Sequence, residues 1–280
     1  MIQTVCVCGA GTMGSGIAQL SAQSGFHTVL YELNDSVLEK SRTGIEKILQ
    51  MLVDKKKITI DEKGETLERI QFTNDIHQCL GDVFIEAIVE KPDVKIALFN
   101  QLAELNHSEC VFATNTSSLS VTGIAEAVKN PERVIGMHFF NPAPVMKLVE
   151  IVHTKFTNEN TFNLVSELAK QMGKTAVSCK DAPGFIVNRV ARPYYIESLR
   201  LAEEGVADFP DIDLILEASG FRMGPFRLMD LIGNDVNFAV SVSVHKQLGN
   251  PERLKPSFIQ KQKVEAGELG KKSGKGYYQY

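Results

Sequence analysis

A chain of 280 residues with 44% hydrophobic and 8% aromatic content can build one large core or two ordinary ones. Its formal net charge of -4 offers no overall attraction to nucleic acid or to an anionic membrane surface. No apolar run approaches the roughly eighteen residues of a membrane span, and the apolar pattern starts at Ile2 with no signal or transit pattern before it, so a soluble cytoplasmic protein is expected.

Ile2 to Cys8 is a nearly continuous β-prone run, as for a parallel strand buried on both faces. It runs into Gly9-Ala10-Gly11-Thr12-Met13-Gly14, a G-x-G-x-x-G motif, after which Met13, Ile17 and Leu20 recur at helical spacing until Gly25. Strand, glycine turn and helix in that order suit a dinucleotide pyrophosphate. Gly9 permits the turn, Gly11 clears the approach to the backbone, Gly14 lets the helix pack on the strand, and the helix N-terminus faces the phosphates. A second strand, Thr28 to Tyr31, ends in Glu32, placed to accept hydrogen bonds from the adenine ribose hydroxyls. A carboxylate there repels a 2′-phosphate, so the expected cofactor is NAD rather than NADP.

From about residue 36 to 75 the pattern is charged and helical, with Ile45, Ile48, Leu49 and Leu52 expected on one face, and it reads as a helical hairpin inserted into the sheet domain. Lys55-Lys56-Lys57 at its tip is either a solvated helix end or a clamp for a phosphate-bearing substrate. Asp82 to Val89 reads as a strand, followed by a helix opening at Lys91-Pro92-Asp93. Glu90 and Lys95 thus fall at the strand's carboxyl end, either as a surface ion pair or in the region where open α/β sheets bind ligands. Cys110 to Thr114 is a further strand running into Asn115-Thr116-Ser117-Ser118-Leu119-Ser120, whose polar groups can cap a helix or hydrogen-bond a substrate oxygen.

Gly136 to Glu150 (GMHFFNPAPVMKLVE) reads as strand, turn, strand, with a short further strand at Ile151 to Val152. If the second segment folds back beside the first, Glu150 can accept a hydrogen bond from His138 in an acid/base dyad, although such a pair also arises by chance. After a helix around Phe162 to Leu168 and a strand at Thr175 to Ser178, Asp181-Ala182-Pro183-Gly184 breaks the pattern. The expected division is a Rossmann-type domain over 1–183 and an all-helical domain over 184–280, with helices at Ile186 to Ala202, Ile212 to Ser219 and a long segment from Pro225 to Leu248. Apolar Ile215, Leu216, Phe226, Leu231 and Ile232 exceed what so small a domain readily hides, which suggests a homodimer interface. Asn188 and Arg189 start its first helix. The tyrosines after Gly270 can pack the tail back on the body. The five cysteines (Cys6, Cys8, Cys79, Cys110, Cys179) are odd in number and scattered, implying neither disulfides nor a metal site.

Taken together, GAGTMGSGIAQ at Gly9, EAIVE at Glu86, NTSSLS at Asn115, GMHFFNPAPVMKLVE at Gly136, DAPGFIVNR at Asp181, MGPF at Met223 and KKSGKGYY at Lys271 resemble the L-3-hydroxyacyl-CoA dehydrogenases over nearly the whole chain, most of all the short bacterial 3-hydroxybutyryl-CoA dehydrogenases. The resemblance implies reversible hydride transfer between NAD and carbon 3 of an acyl-CoA, such as 3-hydroxybutyryl-CoA or acetoacetyl-CoA. It makes His138 the acid/base and Glu150 its partner, and puts Ser117 and Asn188 on the substrate oxygens. Glu32, usually aspartate in relatives, falls on the ribose, and Glu90, Lys95 and Asn115 at the nicotinamide end. Lys55 matches a lysine that meets the CoA phosphates. Two other readings stay open: a dehydrogenase of a free hydroxy acid or sugar acid on the same fold, and a catalytically silent NAD-binding structural protein.

Overall fold

In the computed structural model, which describes residues 2–280 and so leaves Met1 of the expected first domain outside, the first apolar run forms β1 (Thr4–Cys8). Residues alternate across a strand: Val5 and Val7 join one core, while Cys6 and Cys8 are buried on the other face. The chain continues through α1 (Thr12–Gln23), β2 (His27–Tyr31), α2 (Asp35–Asp54), α3 (Ile60–Glu68), β3 (Ile70–Thr73), β4 (Val83–Glu86), α4 (Pro92–Leu105) and β5 (Val111–Thr114). Then come α5 (Val121–Ala125), β6 (Val134–Phe139), β7 (Leu148–His153), α6 (Glu159–Gln171) and β8 (Thr175–Lys180).

These strands form one sheet of order β3-β2-β1-β4-β5-β6-β7-β8. Strands β1 to β6 run parallel, β7 is antiparallel to β6, and β8 is parallel to β7. The direction of winding reverses at β1, whose neighbours are β2 and β4, so the loops after β1 and β4 diverge and leave a crevice at the strands' carboxyl ends. One face of the sheet packs Ile17, Leu30, Ile85, Ile135 and Met137. On the other, Phe112 lies 5.6 Å from Phe84 and 5.3 Å from Phe99 between ring centroids.

Three local expectations change. The strand read over Asp82 to Val89 stops at Glu86, because the Glu86 carboxylate accepts from the Ile88 amide and turns the chain. The short strand after Glu150 is continuous with the segment before it, as β7. In the hairpin, Ile45 and Leu49 are buried but Ile48 faces solvent. Helix α3 starts with a capping box between Thr59 and Glu62, and the exposed Lys55 caps the end of α2.

The chain divides into two compact units, one ending at Asp181 and the other spanning Ala182–Tyr280. The second contains α7 (Val187–Glu203), α8 (Phe209–Ala218), α9 (Pro225–Ile232), α10 (Asn234–Gln247) and α11 (Phe258–Glu265). The long segment read from Pro225 is thus two helices, broken at Gly233, whose φ of 103° leaves the helical region. Of the apolar residues expected at a surface, Phe226 is buried beside Ile212 and Met229, and Leu216 packs against the same core. Ile215, Leu231 and Ile232 do face solvent. The tail returns to the unit's body: Asp230 accepts from the Tyr277 and Tyr278 amides, each at 3.0 Å, and Asp213 accepts from the Tyr278 hydroxyl at 2.7 Å. Among the described residues no helix is long and apolar enough to cross a membrane.

Candidate active site

The turn after Phe140 reverses the chain so that β6 and β7 pair antiparallel with His138 directly opposite Glu150. Cross-strand partners share a face. His138 Nδ1 lies 2.6 Å from Glu150 Oε2, the imidazole being 5% exposed and the carboxylate's residue 0%. A carboxylate in this position accepts from Nδ1–H, which leaves Nε2 as the acceptor of a neutral ring. The Phe140 ring packs against the imidazole at 4.6 Å between centroids.

The loop after β5 is built onto this pair and onto β4. Asn115 Oδ1 accepts from the Phe139 amide at 2.8 Å, and its backbone amide donates to the Glu86 carbonyl at 2.8 Å, which ties the first residue past β5 to the ends of β6 and β4. Glu90 Oε1 accepts from the Thr116 and Ser118 hydroxyls and from the Ser117 amide, while Glu90 Oε2 lies 3.0 Å from Lys95 Nζ. The same ammonium meets Glu86 Oε1 at 2.5 Å. Burial pushes the Glu86 carboxyl above its ordinary range, against the pull of Lys95, the Thr114 hydroxyl and the Ile88 amide. Lys95 is 1% exposed, so its charge is spent on these two carboxylates.

The glycine loop separates packing from access. A Cβ at Gly9 would sit 2.7 Å from the Ala87 carbonyl oxygen, and one at Gly14 only 1.7 Å from that of Gly9, whereas one at Gly11 would meet nothing within 4 Å. Gly11 is also the N-cap of α1 and offers no side-chain cap, so the first turn at Thr12, Met13 and Gly14 presents its amides to that open space. A pyrophosphate fits such a place. Glu32, just past β2, accepts from the Ala10 amide at 3.0 Å and from Asn34 at 3.1 Å, which holds its carboxylate beside the loop.

His138, Glu150, Ser117, Asn115, Glu90 and Lys95 therefore gather in the first unit, around the carboxyl ends of β4, β5 and β6. Asn188 belongs to the second unit, where its carbonyl accepts from Arg192 Nε at 3.0 Å. Lys55 stands at the hairpin tip. Three contributors escaped the sequence reading. Asp181, read only as part of a break, accepts from the Ser120 hydroxyl and the Thr122 amide, each at 2.8 Å, and so anchors the far end of the Ser117 loop. Buried Lys174 donates to the Ala143 and Met146 carbonyls at 2.6 and 2.8 Å and braces the turn after Phe140; burial lowers its pKa. Thr114 ties Glu86 to the Ser117 loop. None of the three carries a local signal in the sequence, because burial and distant partners make their roles.

Two family models match. That described as 3-hydroxyacyl-CoA dehydrogenase, NAD binding domain, covers residues 4–182, and that of the 3-hydroxyacyl-CoA dehydrogenase C-terminal domain covers 184–280. The chain is 48% identical to the 3-hydroxyadipyl-CoA dehydrogenase of Escherichia coli over all of its own length, and spans 59% of that relative. It is 42% identical to a probable 3-hydroxybutyryl-CoA dehydrogenase of Deinococcus radiodurans over 98% of this chain and 99% of the relative. The crystal structure of (S)-3-hydroxybutyryl-CoA dehydrogenase from Ralstonia eutropha is 35% identical and superimposes with a TM-score of 0.94 over 100% of this chain and 99% of that one.

Proposed function

Because the chain belongs to the 3-hydroxyacyl-CoA dehydrogenase family, an NAD-binding family of oxidoreductases, we propose that it interconverts (S)-3-hydroxybutyryl-CoA and acetoacetyl-CoA with His138 as the acid/base. The observation that carries the reading is the buried 2.6 Å contact of His138 with Glu150. In oxidation His138 Nε2 takes the proton of the substrate hydroxyl, and in reduction it returns that proton to the forming alkoxide. Glu150 holds the tautomer that leaves Nε2 able to do this and stabilises the imidazolium that results. Ser117 and Asn188 hydrogen-bond the 3-oxygen and the neighbouring thioester carbonyl.

The backbone of Gly9, Gly11, Thr12, Met13 and Gly14 holds the pyrophosphate of NAD, Glu32 the adenine ribose, and Glu90, Lys95 and Asn115 border the nicotinamide end. When bound, the nicotinamide ring supplies the hydride chemistry. Lys55 meets the phosphates of CoA, and the exposed Ile215, Leu231 and Ile232 belong to a homodimer interface.

The name of the Escherichia coli relative favours a second reading, in which the acyl chain ends in a carboxylate. Rates of NADH and NADPH oxidation with acetoacetyl-CoA, 3-oxoadipyl-CoA and free acetoacetate separate the substrates, the expected order placing acetoacetyl-CoA with NADH first. In the same assay His138→Gln should lower kcat about a thousandfold while NADH still binds. Near-normal turnover by that variant would overturn the assignment of the acid/base.

A further inference from the structure

Glu86 ends β4 in the middle of the sheet with 0% of its surface exposed, and neither hydride transfer nor proton transfer as proposed above uses it. A carboxylate buried there is costly unless donors surround it. Three do: Lys95 Nζ and the Ile88 amide on Oε1, at 2.5 and 2.8 Å, and the Thr114 hydroxyl on Oε2 at 2.7 Å.

Two of these donors lead on to the same residue. Through Lys95 the contacts pass to Glu90, and from Glu90 to the Thr116 hydroxyl. Through Thr114 they pass directly, because Thr114 Oγ1 accepts from the Thr116 amide at 3.3 Å. Glu86, Lys95, Glu90, Thr116 and Thr114 therefore close a ring. Each threonine in it donates to a carboxylate and accepts from loop amides: Thr116 Oγ1 takes those of Leu119 at 2.9 Å and Ser118 at 3.3 Å. The donor directions agree all round the ring when both carboxylates are ionised and share the one ammonium. The half-exposed Glu90 would otherwise turn through its rotamers; with Lys95 braced from behind by Glu86, it has one arrangement.

We infer that Glu86 is a positioning residue: through both arms of this ring it fixes the Thr116–Leu119 loop, and with it the orientation of Ser117 toward the acyl-CoA oxygen. The inference rests on the dehydrogenase reading proposed above. Glu86 acts mainly on the substrate step: Glu90 and Lys95, which border the nicotinamide end, belong to the ring, but the glycine loop and Glu32, which hold the pyrophosphate and ribose, lie outside it.

The test is a double-mutant cycle in the full chain with Glu86→Gln, which keeps the shape but removes the charge, and Thr114→Val, which opens the other arm. Each is measured for kcat and KM with acetoacetyl-CoA, for NADH affinity by fluorescence, and for Tm. Each single variant should lose about tenfold in kcat/KM for the acyl-CoA with NADH affinity within about twofold. The double variant should lose little more than either, because one ring is broken in every case. Losses that multiply in the double variant, or unchanged kinetics with only a lowered Tm, overturn the inference while leaving the dehydrogenase reading intact. A wild-type protein inactive on every acyl-CoA ester overturns that reading, and the inference with it.

Discussion

In the sheet unit, Glu150 and Glu86 are buried against side chains that carry or can carry charge, His138 and Lys95. In the helical unit, Asp213 and Asp230 are as deeply buried, but their donors are backbone amides, tyrosine hydroxyls and one side-chain amide: the Phe226 and Arg227 amides with the Tyr278 hydroxyl for Asp213, and the Tyr277 and Tyr278 amides with Asn234 Nδ2 and the Tyr280 hydroxyl for Asp230. A backbone amide neither titrates nor leaves, and burial keeps the Tyr280 hydroxyl neutral up to about 12, so the second kind of site exchanges no proton near neutral pH and holds chain segments together. Of the first kind, the His138 pair keeps an imidazole beside the carboxylate, whereas the Lys95 pair holds a loop through charge. Burial of an acid alone therefore does not mark a working site; the mobility of its partner's proton does.

The comparison predicts opposite failures. Glu150→Gln, measured by steady-state reduction of acetoacetyl-CoA, should lose about a hundredfold in kcat with a modest change in Tm; a collapsed Tm with full activity per folded molecule would place Glu150 with the architectural carboxylates. Asp230→Ala strands four donors and should cost about 3 kcal/mol of stability, seen as a Tm lower by roughly 10 °C, while NADH affinity below the transition is kept. Loss of NADH binding at temperatures where the protein remains folded would break the division of labour.

The smallest expected effect lies at high pH. Burial raises Cys110 and Cys179 in the first unit to about 11 and Cys79 to about 12, from an ordinary value of 9.0. In the second unit Tyr194 and Tyr280 rise to about 12 from 10.0, again mainly through burial. Each of these acids stays neutral longer in the folded chain, so its contribution is complete below its ordinary pKa and is lost as pH rises through the raised one. Amide exchange should therefore quicken first in β5 and β8, between about pH 9 and 11, and in the tyrosine tail only between about pH 10 and 12. Simultaneous loosening of both would contradict this order.

Local chemistry made much of the molecule legible. The apolar run before Gly9, the helical spacing after Gly14, the acid at Glu32 and the proline turn between two apolar segments all follow from rules that act over a few residues: backbone permissiveness at glycine, strand and helix periodicity, and turn preference. These determine a glycine loop at a strand's end and a histidine and a glutamate on strands either side of a turn. They could not place Ile48 outward or end a helix at Gly233, since either alternative satisfies the periodicity.

What the tertiary structure alone decided is which distant residues meet. His138 faces Glu150 only in one register of β6 on β7, and a slip of one residue would put the two on opposite faces of the sheet. Glu86 reaches Thr114 across 28 residues, and Asp230 reaches Tyr278 across 48, because β4 lies beside β5 and the tail folds back on α9. Sequence periodicity specifies a face for each element but no partner for that face. Strand order, register and the closing of the chain supply the partner, and with it the difference between a carboxylate set against an imidazole and one held by backbone amides.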